Sequence, residues 1–175
     1  MSQTVVDLSD FEDRTLGPWQ FKSWMPAGRK ADVKVIALDG FRSKHCLQFE
    51  ADGGDDDGIF FIQRTLKVDI EGPFHTAYLS WWMKGTALRG TTSWPRVVYF
   101  GPPKDLTRQE TQKAFHWFTY DEGFQTCADR AGWYAHFYKQ DFPDGLDELQ
   151  ICVGWKINWE TGRTLLMDEV LLVAS

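Results

Sequence analysis

Two groups of carboxylates lie near opposite ends of the chain, each beside residues that should be buried. Near the N-terminus, "DLSDFEDRTLGPW" places Asp10, Glu12 and Asp13 around an aromatic side chain. Near the C-terminus, "TGRTLLMDEVLL" places Asp168 and Glu169 between apolar runs that read as a strand. Because successive side chains of a strand point to opposite faces, at most one of these last two carboxylates is predicted to point inward.

The carboxylates at the two ends of the chain are candidates for a shared metal site. Chain termini commonly lie close together in a compact domain, so Glu12 and Asp168 are expected to converge on one hard cation. Calcium takes several carboxylate, carbonyl and water oxygens. The remaining ligands are expected from the turn "DGFRSK", which contains Ser43. The spacing leaves two alternatives open: one calcium ion at Glu12, Asp168 and the Ser43 turn, or carboxylates that each face water beside a strand end, which the spacing by itself favours.

Three segments alternate an apolar face with a second face of different character. The apolar sets are Leu79, Trp81 and Met83 in "YLSWWMK", Trp133, Ala135 and Phe137 in "GWYAHFYKQ", and Leu149, Ile151, Val153 and Trp155 in "LQICVGW". In the first two segments the opposite face is aromatic and polar together, and its members are Tyr78, Ser80, Trp82, Lys84, Tyr134, His136, Tyr138 and Gln140. Such a face differs from an ordinary solvated surface.

This mixed face is predicted to bind sugar. A sugar ring has a flat patch of C–H groups and hydroxyls around its rim, so its sites combine aromatic platforms with hydrogen-bonding side chains. The predicted ligand-binding residues are Gln63, Trp82, Lys84, Tyr99, His116, Tyr134, His136, Tyr138 and Gln140. Removing a ring, as in Trp82→Ala or Tyr138→Ala, is then expected to weaken glycan binding without unfolding the domain. The alternative is that these rings pack beneath a long loop such as 102–115.

The elements that must position these residues are strands. Short runs rich in Val, Ile, Phe, Tyr and Trp alternate with Gly, Pro, Asp and Asn clusters, which is typical of a β-sandwich or barrel. The predicted strands are 19–24, 32–37, 45–51, 58–68, 76–86, 95–101, 114–121, 132–138, 148–155 and 164–173. The segment 105–115 has no continuous apolar stripe and is interpreted as a long loop with at most one helical turn.

Length and composition indicate one domain over 1–175, and they argue against nucleic acid, a membrane span, disulfides and zinc. The 19 basic residues are scattered among 25 acidic ones, so nucleic acid is not expected to bind. The sequence contains neither a secretory leader nor a membrane-spanning run, so a cytoplasmic protein is expected, or a secreted one if the chain is an excised module. Its three cysteines have no CxxC spacing and predict neither disulfides nor a zinc site.

Several of these motifs together resemble a known family. The succession "DFEDRTLGPWQF", "DGFRSKHCLQFEA", "GIFFIQRTLKV", "YLSWWMKG", "GWYAHFYKQDFPDGLDELQICVG" and "TGRTLLMDEVLL" resembles the galactose-binding-like jelly rolls of the xylan- and β-glucan-binding modules. The resemblance implies an all-β sandwich of two antiparallel sheets and non-catalytic binding of an oligo- or polysaccharide. It also implies that Glu12 and Asp168 hold a structural calcium remote from the ligand face, although Arg14 replaces the family's usual Gly and Glu169 its usual second Asp.

A second resemblance leaves an enzymatic function open. "WYAHFYKQ" is loosely similar to a strand of the jelly-roll alginate lyases, with Tyr138 and Gln140 at the Tyr and Gln positions. On that interpretation His136 and Tyr138 handle the proton in a β-elimination. A cyclase or isomerase on the same scaffold is the related alternative, because a His and a Tyr on one face suit acid–base work when burial tunes their pKa values.

Overall fold

The computed structural model describes residues 4–37, 40–52, 58–67, 73–85, 95–118, 124–126, 132–157 and 163–175. The strands in these ranges are β1 (Thr4–Ser9), β2 (Gln20–Trp24), β3 (Ala31–Ile36), β4 (Cys46–Ala51), β5 (Ile59–Lys67), β6 (Phe74–Gly85), β7 (Arg96–Gly101), β8 (His116–Phe118), β9 (Phe124–Thr126), β10 (Trp133–Leu146), β11 (Glu148–Lys156) and β12 (Arg163–Ala174). One helix, α1 (Arg108–Ala114), lies between β7 and β8.

The strands form two antiparallel sheets, so the predicted all-β sandwich is confirmed. The seven-stranded sheet has the order β3-β4-β12-β6-β10-β9, with β1 also paired to β12. The five-stranded sheet has the order β2-β5-β11-β7-β8. The main core lies between the sheets and includes the predicted apolar sets of β6 and β11, namely Leu79, Trp81, Met83, Leu149, Ile151, Val153 and Trp155.

The two ends of the chain lie side by side, as the sequence predicts, although β1, the strand that brings them together, is not among the predicted strands. β1 pairs antiparallel with β12, with Leu8 opposite Leu171 and Ser9 opposite Val170. This pairing brings the loop that follows β1, which contains Glu12, to the strand that carries Asp168. The two carboxylates therefore lie on the same side of the sandwich.

Three local features differ from the predictions. β1 and β9 were not predicted, and β10 continues well past the predicted end of that strand at 138. The segment 105–115 contains a seven-residue helix instead of a single turn. Thr107 caps this helix because its side chain accepts a hydrogen bond from the backbone N–H of Glu110 at 3.3 Å.

In the part of the chain that the structure describes, no helix is long and apolar enough to cross a bilayer.

Helix α1 and its flanking residues cover the outer face of the five-stranded sheet. Leu106 and Phe115 are buried there against a second apolar cluster that includes Phe61, Tyr99 and Cys152. The Phe115 ring lies 5.0 Å from the Phe61 ring, measured between centroids. The apolar contacts are therefore supplied mainly by Leu106 before the helix and Phe115 after it, since Thr111 is the buried residue of the helix itself.

Candidate functional site

Glu12 and Asp168 bind the same turn, residues 40–45. Oε1 of Glu12 accepts hydrogen bonds from the backbone N–H groups of Lys44 (2.7 Å) and His45 (2.8 Å), and it lies 3.1 Å from Nδ1 of His45. Oδ2 of Asp168 accepts hydrogen bonds from the backbone N–H of Phe41 (2.7 Å) and from Oγ of Ser43 (2.8 Å). The two ends of the chain thus hold one turn in place.

Asp168 lies on the outer face of the seven-stranded sheet, beneath this turn, and is fully buried. Burial raises the pKa of its carboxyl, while hydrogen bonds from Ser43, Phe41 and the backbone N–H of Glu169 oppose that rise. The register of β12 against β6 shifts between Asp168 and Leu171, and Glu169 has a φ of 48°. This β-bulge interrupts the alternation on which the opposite-face prediction for Asp168 and Glu169 depends.

Oxygens cluster around Gly40 in the turn. Oγ of Ser43 lies 2.7 Å from the carbonyl oxygen of His45 and 2.8 Å from Oδ2 of Asp168. A hydroxyl has one proton, so it donates to only one of these two acceptors at a time. A Cβ on Gly40 would lie 2.4 to 2.9 Å from all three oxygens. Among the described residues no group of three or more His, Cys, Asp or Glu side chains is arranged to hold a metal, so a cation here would depend on the hydroxyl and the carbonyl.

The face assigned to β10 from its sequence is wrong. In the register of β10 against β6, His136 lies opposite Trp81 and Tyr138 opposite Leu79, both of which point into the core. Tyr134, His136, Tyr138 and Gln140 therefore point between the sheets, and Phe137 points outward with 49% of its surface exposed. The apolar set of β10 was misleading because its outward Trp133 is buried too, under the Phe41 ring of the turn at 40–45.

Trp82 and Lys84 lie on the other face, away from the predicted partners of β10. The Trp82 ring stacks on the Phe41 ring, with centroids 3.6 Å apart and planes at 14°. Trp82 is half-buried as part of the cluster beneath the turn. The two residues are thus separated from Tyr138 by the thickness of the seven-stranded sheet.

Tyr99 and Gln63 lie on a third surface, the outer face of the five-stranded sheet. Tyr99 is opposite Cys152, and Cys152 is opposite Gln63, so the three side chains share one row. Tyr99 is buried under the segment that carries α1, and its hydroxyl donates to the carbonyl oxygen of Pro102 at 2.7 Å. For Tyr99, packing beneath the 102–115 segment is therefore the arrangement observed.

Three of the predicted residues come together where β8 of one sheet packs against β10 of the other. We call His116, Tyr138 and Gln140 the edge site. The exposed His116 ring lies 5.2 Å from the half-buried Tyr138 ring at an interplanar angle of 33°. The Tyr138 hydroxyl donates to Oε1 of Gln140 at 3.0 Å. His136 lies behind this site in the core.

Two phenylalanines that the sequence did not single out support the edge site. Phe118 packs its ring 4.6 Å from His116 and 5.6 Å from Tyr138, and Phe100 lies 6.2 Å from Tyr138. Phe118 follows His116 by two residues in "HWF", so strand alternation already places the two on one face. Phe100 belongs to β7 of the five-stranded sheet. It reaches Tyr138 of β10 only because the two sheets pack against each other.

His136 is fully buried and its imidazole is neutral at physiological pH. Its ring centroid lies 4.1 Å from that of Phe118 and 4.6 Å from that of Trp81. Burial lowers the pKa of His136 to about 3, and the nearby charges of Arg96 and His116 act in the same direction. Burial also raises the pKa of Tyr138.

Comparison with known proteins identifies the fold. No protein-family model matches the sequence, and no curated protein is significantly similar to it. Among solved structures, the CBM22-1 xylan-binding domain of Xyn10C from Paenibacillus barcinonensis superposes with a TM-score of 0.53 at 16% identity, covering 99% of this chain and 96% of that one.

Two further structures show the same architecture. The family 11 carbohydrate-binding module of the cellulase Lic26A-Cel5E from Clostridium thermocellum has a TM-score of 0.55 at 12% identity, covering 98% of this chain and 97% of that one. The active domain of tailspike protein 4 from bacteriophage CBA120 has a TM-score of 0.55 at 8% identity, and this chain, 95% of which is covered, spans only 20% of it. The chain therefore has the jelly-roll β-sandwich fold shared by these carbohydrate-binding modules.

Proposed function

We propose that this domain binds carbohydrate without catalysis and that the edge site is where the sugar stacks. The observation that carries the proposal is the pairing of an exposed imidazole, His116, with the half-buried Tyr138 ring beside the amide of Gln140. An aromatic surface suits the C–H face of a sugar, and the amide and hydroxyl suit its rim. The shared fold of a xylan-binding domain supports the same function.

The other two surfaces suit a sugar less well. On the outer face of the five-stranded sheet, Tyr99 is covered by the chain's own 102–115 segment. On the outer face of the seven-stranded sheet, Trp82 already stacks on Phe41. A sugar could replace neither contact without displacing buried apolar surface, which costs free energy.

The surroundings of His136 favour binding over the enzymatic alternatives. A general acid or base has to come within hydrogen-bonding distance of the proton that it transfers. His136 is fully buried and neutral, so β-elimination, cyclisation or isomerisation with His136 and Tyr138 would require the core to open. Incubation with uronate polymers tests the lyase alternative, because appearance of unsaturated-uronate absorbance would establish it.

The edge site is tested by His116→Ala, because His116 is exposed and its loss should leave folding unchanged. We expect the affinity for a bound oligosaccharide to fall about fivefold, since a stacked ring contributes about 1 kcal/mol. Xylan, mannan and β-1,4-galactan oligosaccharides are the ligands to titrate by calorimetry. The matched control is His75→Ala, which removes an exposed histidine from β6.

Two outcomes would contradict this assignment. If no glycan on an array or in the titrations binds the parent domain, carbohydrate binding itself is wrong. If glycan binds and His116→Ala and Tyr138→Ala bind as well as the parent, while Trp82→Ala does not, the sugar lies on the outer face of the seven-stranded sheet instead.

We also infer that the turn held by Glu12 and Asp168 takes calcium as a structural ion. Three oxygens, Ser43 Oγ, His45 O and Asp168 Oδ2, lie close together, and the Ser43 hydroxyl can donate to only one of the other two at a time. This supports the inference, because calcium binds clustered carboxylate, carbonyl and hydroxyl oxygens. We expect millimolar calcium to raise the melting temperature of the parent domain and not that of Asp168→Asn. Asp32→Asn, at an exposed position of β3, is the control. A parent domain whose melting temperature and calorimetric titration both ignore calcium would exclude the ion.

A further inference from the structure

The outer face of the seven-stranded sheet carries an exposed apolar surface that the proposed function does not use. Leu8 and Phe137 are 54% and 49% exposed, and they are the exposed large hydrophobic residues of the described part of the chain. The strand registers align them: Phe137 lies opposite Ser80, Ser80 opposite Leu171, and Leu171 opposite Leu8. These four side chains form one row across β10, β6, β12 and β1.

A second row lies beside the first. Lys139 is opposite Tyr78, and Tyr78 is opposite Val173, with the last two half-buried. A groove runs over the small Ser80 side chain between the larger residues of these rows. We call this surface the outer patch; its members are Leu8, Tyr78, Ser80, Phe137, Leu171 and Val173.

The chemistry of the outer patch suits a protein surface better than a sugar. Leu171, Val173 and Leu8 offer no hydrogen-bond donor or acceptor in their side chains. The charged groups at its rim, Lys139 and Asp141, already pair with each other at 3.1 Å. An exposed apolar surface with a polar rim is typical of a protein–protein contact.

We propose that the outer patch binds a second copy of this chain in a two-fold symmetric dimer. Such an interface requires one surface to be complementary to itself. The outer patch meets this requirement because the protruding Phe137 ring lies directly beside the small Ser80, which gives each copy a projection and a recess. Its rim likewise carries both signs of charge, so the Lys139–Asp141 pairs of the two copies exchange partners in the dimer, and Lys139 of each copy faces Asp141 of the other.

The size of the outer patch sets the strength of the dimer. Four neighbouring strands span about 14 Å between the outer two, and two side-chain rows add about 7 Å along the strands. That apolar centre is smaller than the roughly 800 Å² per partner of a standard stable interface. The dimer is therefore weak, and it forms at high protein concentration.

Sedimentation velocity over a concentration series tests the proposal. We expect the parent domain to shift from monomer to dimer as its concentration rises to about 1 mM, and Phe137→Glu to raise the dimer dissociation constant at least about tenfold. The matched control, Gln20→Glu, adds the same charge at an exposed position of the five-stranded sheet and should dimerise like the parent. A parent domain that stays monomeric throughout the series would overturn the proposal, and so would a Phe137→Glu variant that dimerises as the parent does.

A charge exchange tests the symmetry. Lys139→Asp alone and Asp141→Lys alone should each dimerise less than the parent, because each places like charges opposite one another across the interface. An equimolar mixture of the two variants should recover dimer, since the two-fold arrangement then pairs opposite charges again. A mixture that dimerises no better than the separate variants would rule out this docking geometry.

Discussion

Acidification should destabilise this domain through His136. The ordinary pKa of a histidine is about 6.5, which applies to the unfolded chain, and burial lowers the pKa of folded His136 to about 3. Between these two values the unfolded chain binds a proton that the folded domain does not. The contribution of neutral His136 to the free energy of unfolding is therefore fully present above about pH 6.5 and is lost as the pH falls toward 3.

The size of the effect follows from the two pKa values. Lowering the pH from about 7.5 to about 5 should cost the folded state about 2 kcal/mol from this residue alone. The buried Arg96 charge contributes to that cost, because it disfavours a second positive charge in the same part of the core.

Urea unfolding at the two pH values measures this loss, with His136→Gln as the comparison. The glutamine side chain stays neutral, so its free energy of unfolding should change with pH by about 2 kcal/mol less than that of the parent. Other titrating groups are common to both proteins and cancel in the difference. If His136→Gln does not fold, His136→Leu serves the same comparison. Equal pH dependence in parent and variant would mean that His136 is not held neutral by burial.

Two further predictions concern the turn at 40–45. Trp82→Ala should lower the free energy of unfolding by about 2 kcal/mol, because its ring stacks on Phe41, and should leave glycan affinity unchanged; urea unfolding and calorimetric titration check both parts. Gly40→Ala should destabilise the domain by about 1–3 kcal/mol in the same unfolding assay, because the added Cβ would lie 2.4 Å from Ser43 Oγ, and a melting temperature equal to the parent's would contradict the packing described for this turn.

Most of the architecture could be predicted because local patterns determine it. For eight of the predicted strands, both ends lie within two residues of the ends observed in the structure. Each of these strands combines β-branched or aromatic residues with flanking turn formers. The proximity of the two ends followed from a general property of domains, and β1 was the strand that the sequence did not reveal. Its short polar and apolar alternation between Thr4 and Ser9 is too weak a signal without the partner strand β12.

The candidate site was harder to predict because it depends on which face is inner. In β10 both alternating sets contain large rings, so hydrophobicity does not distinguish them. Register decides the matter: His136 faces Trp81 in the core, and the outward Trp133 is buried by a turn that is distant in sequence. The bulge at Glu169 is likewise invisible to alternation, because it is defined by pairing with β6.

Strand β10 contributes residues to both proposed binding surfaces, one on each of its faces. Its inward residues Tyr138 and Gln140 belong to the edge site, and its outward Phe137 belongs to the outer patch. Dimerisation through the outer patch would leave both edge sites open, and two linked sites bind a polymer more tightly than one. Affinity for a long polysaccharide should then rise with protein concentration, whereas affinity for a short oligosaccharide should not. Phe137→Glu should remove only the first effect and His116→Ala should weaken both, which distinguishes a failure of the dimer from a failure of the sugar site.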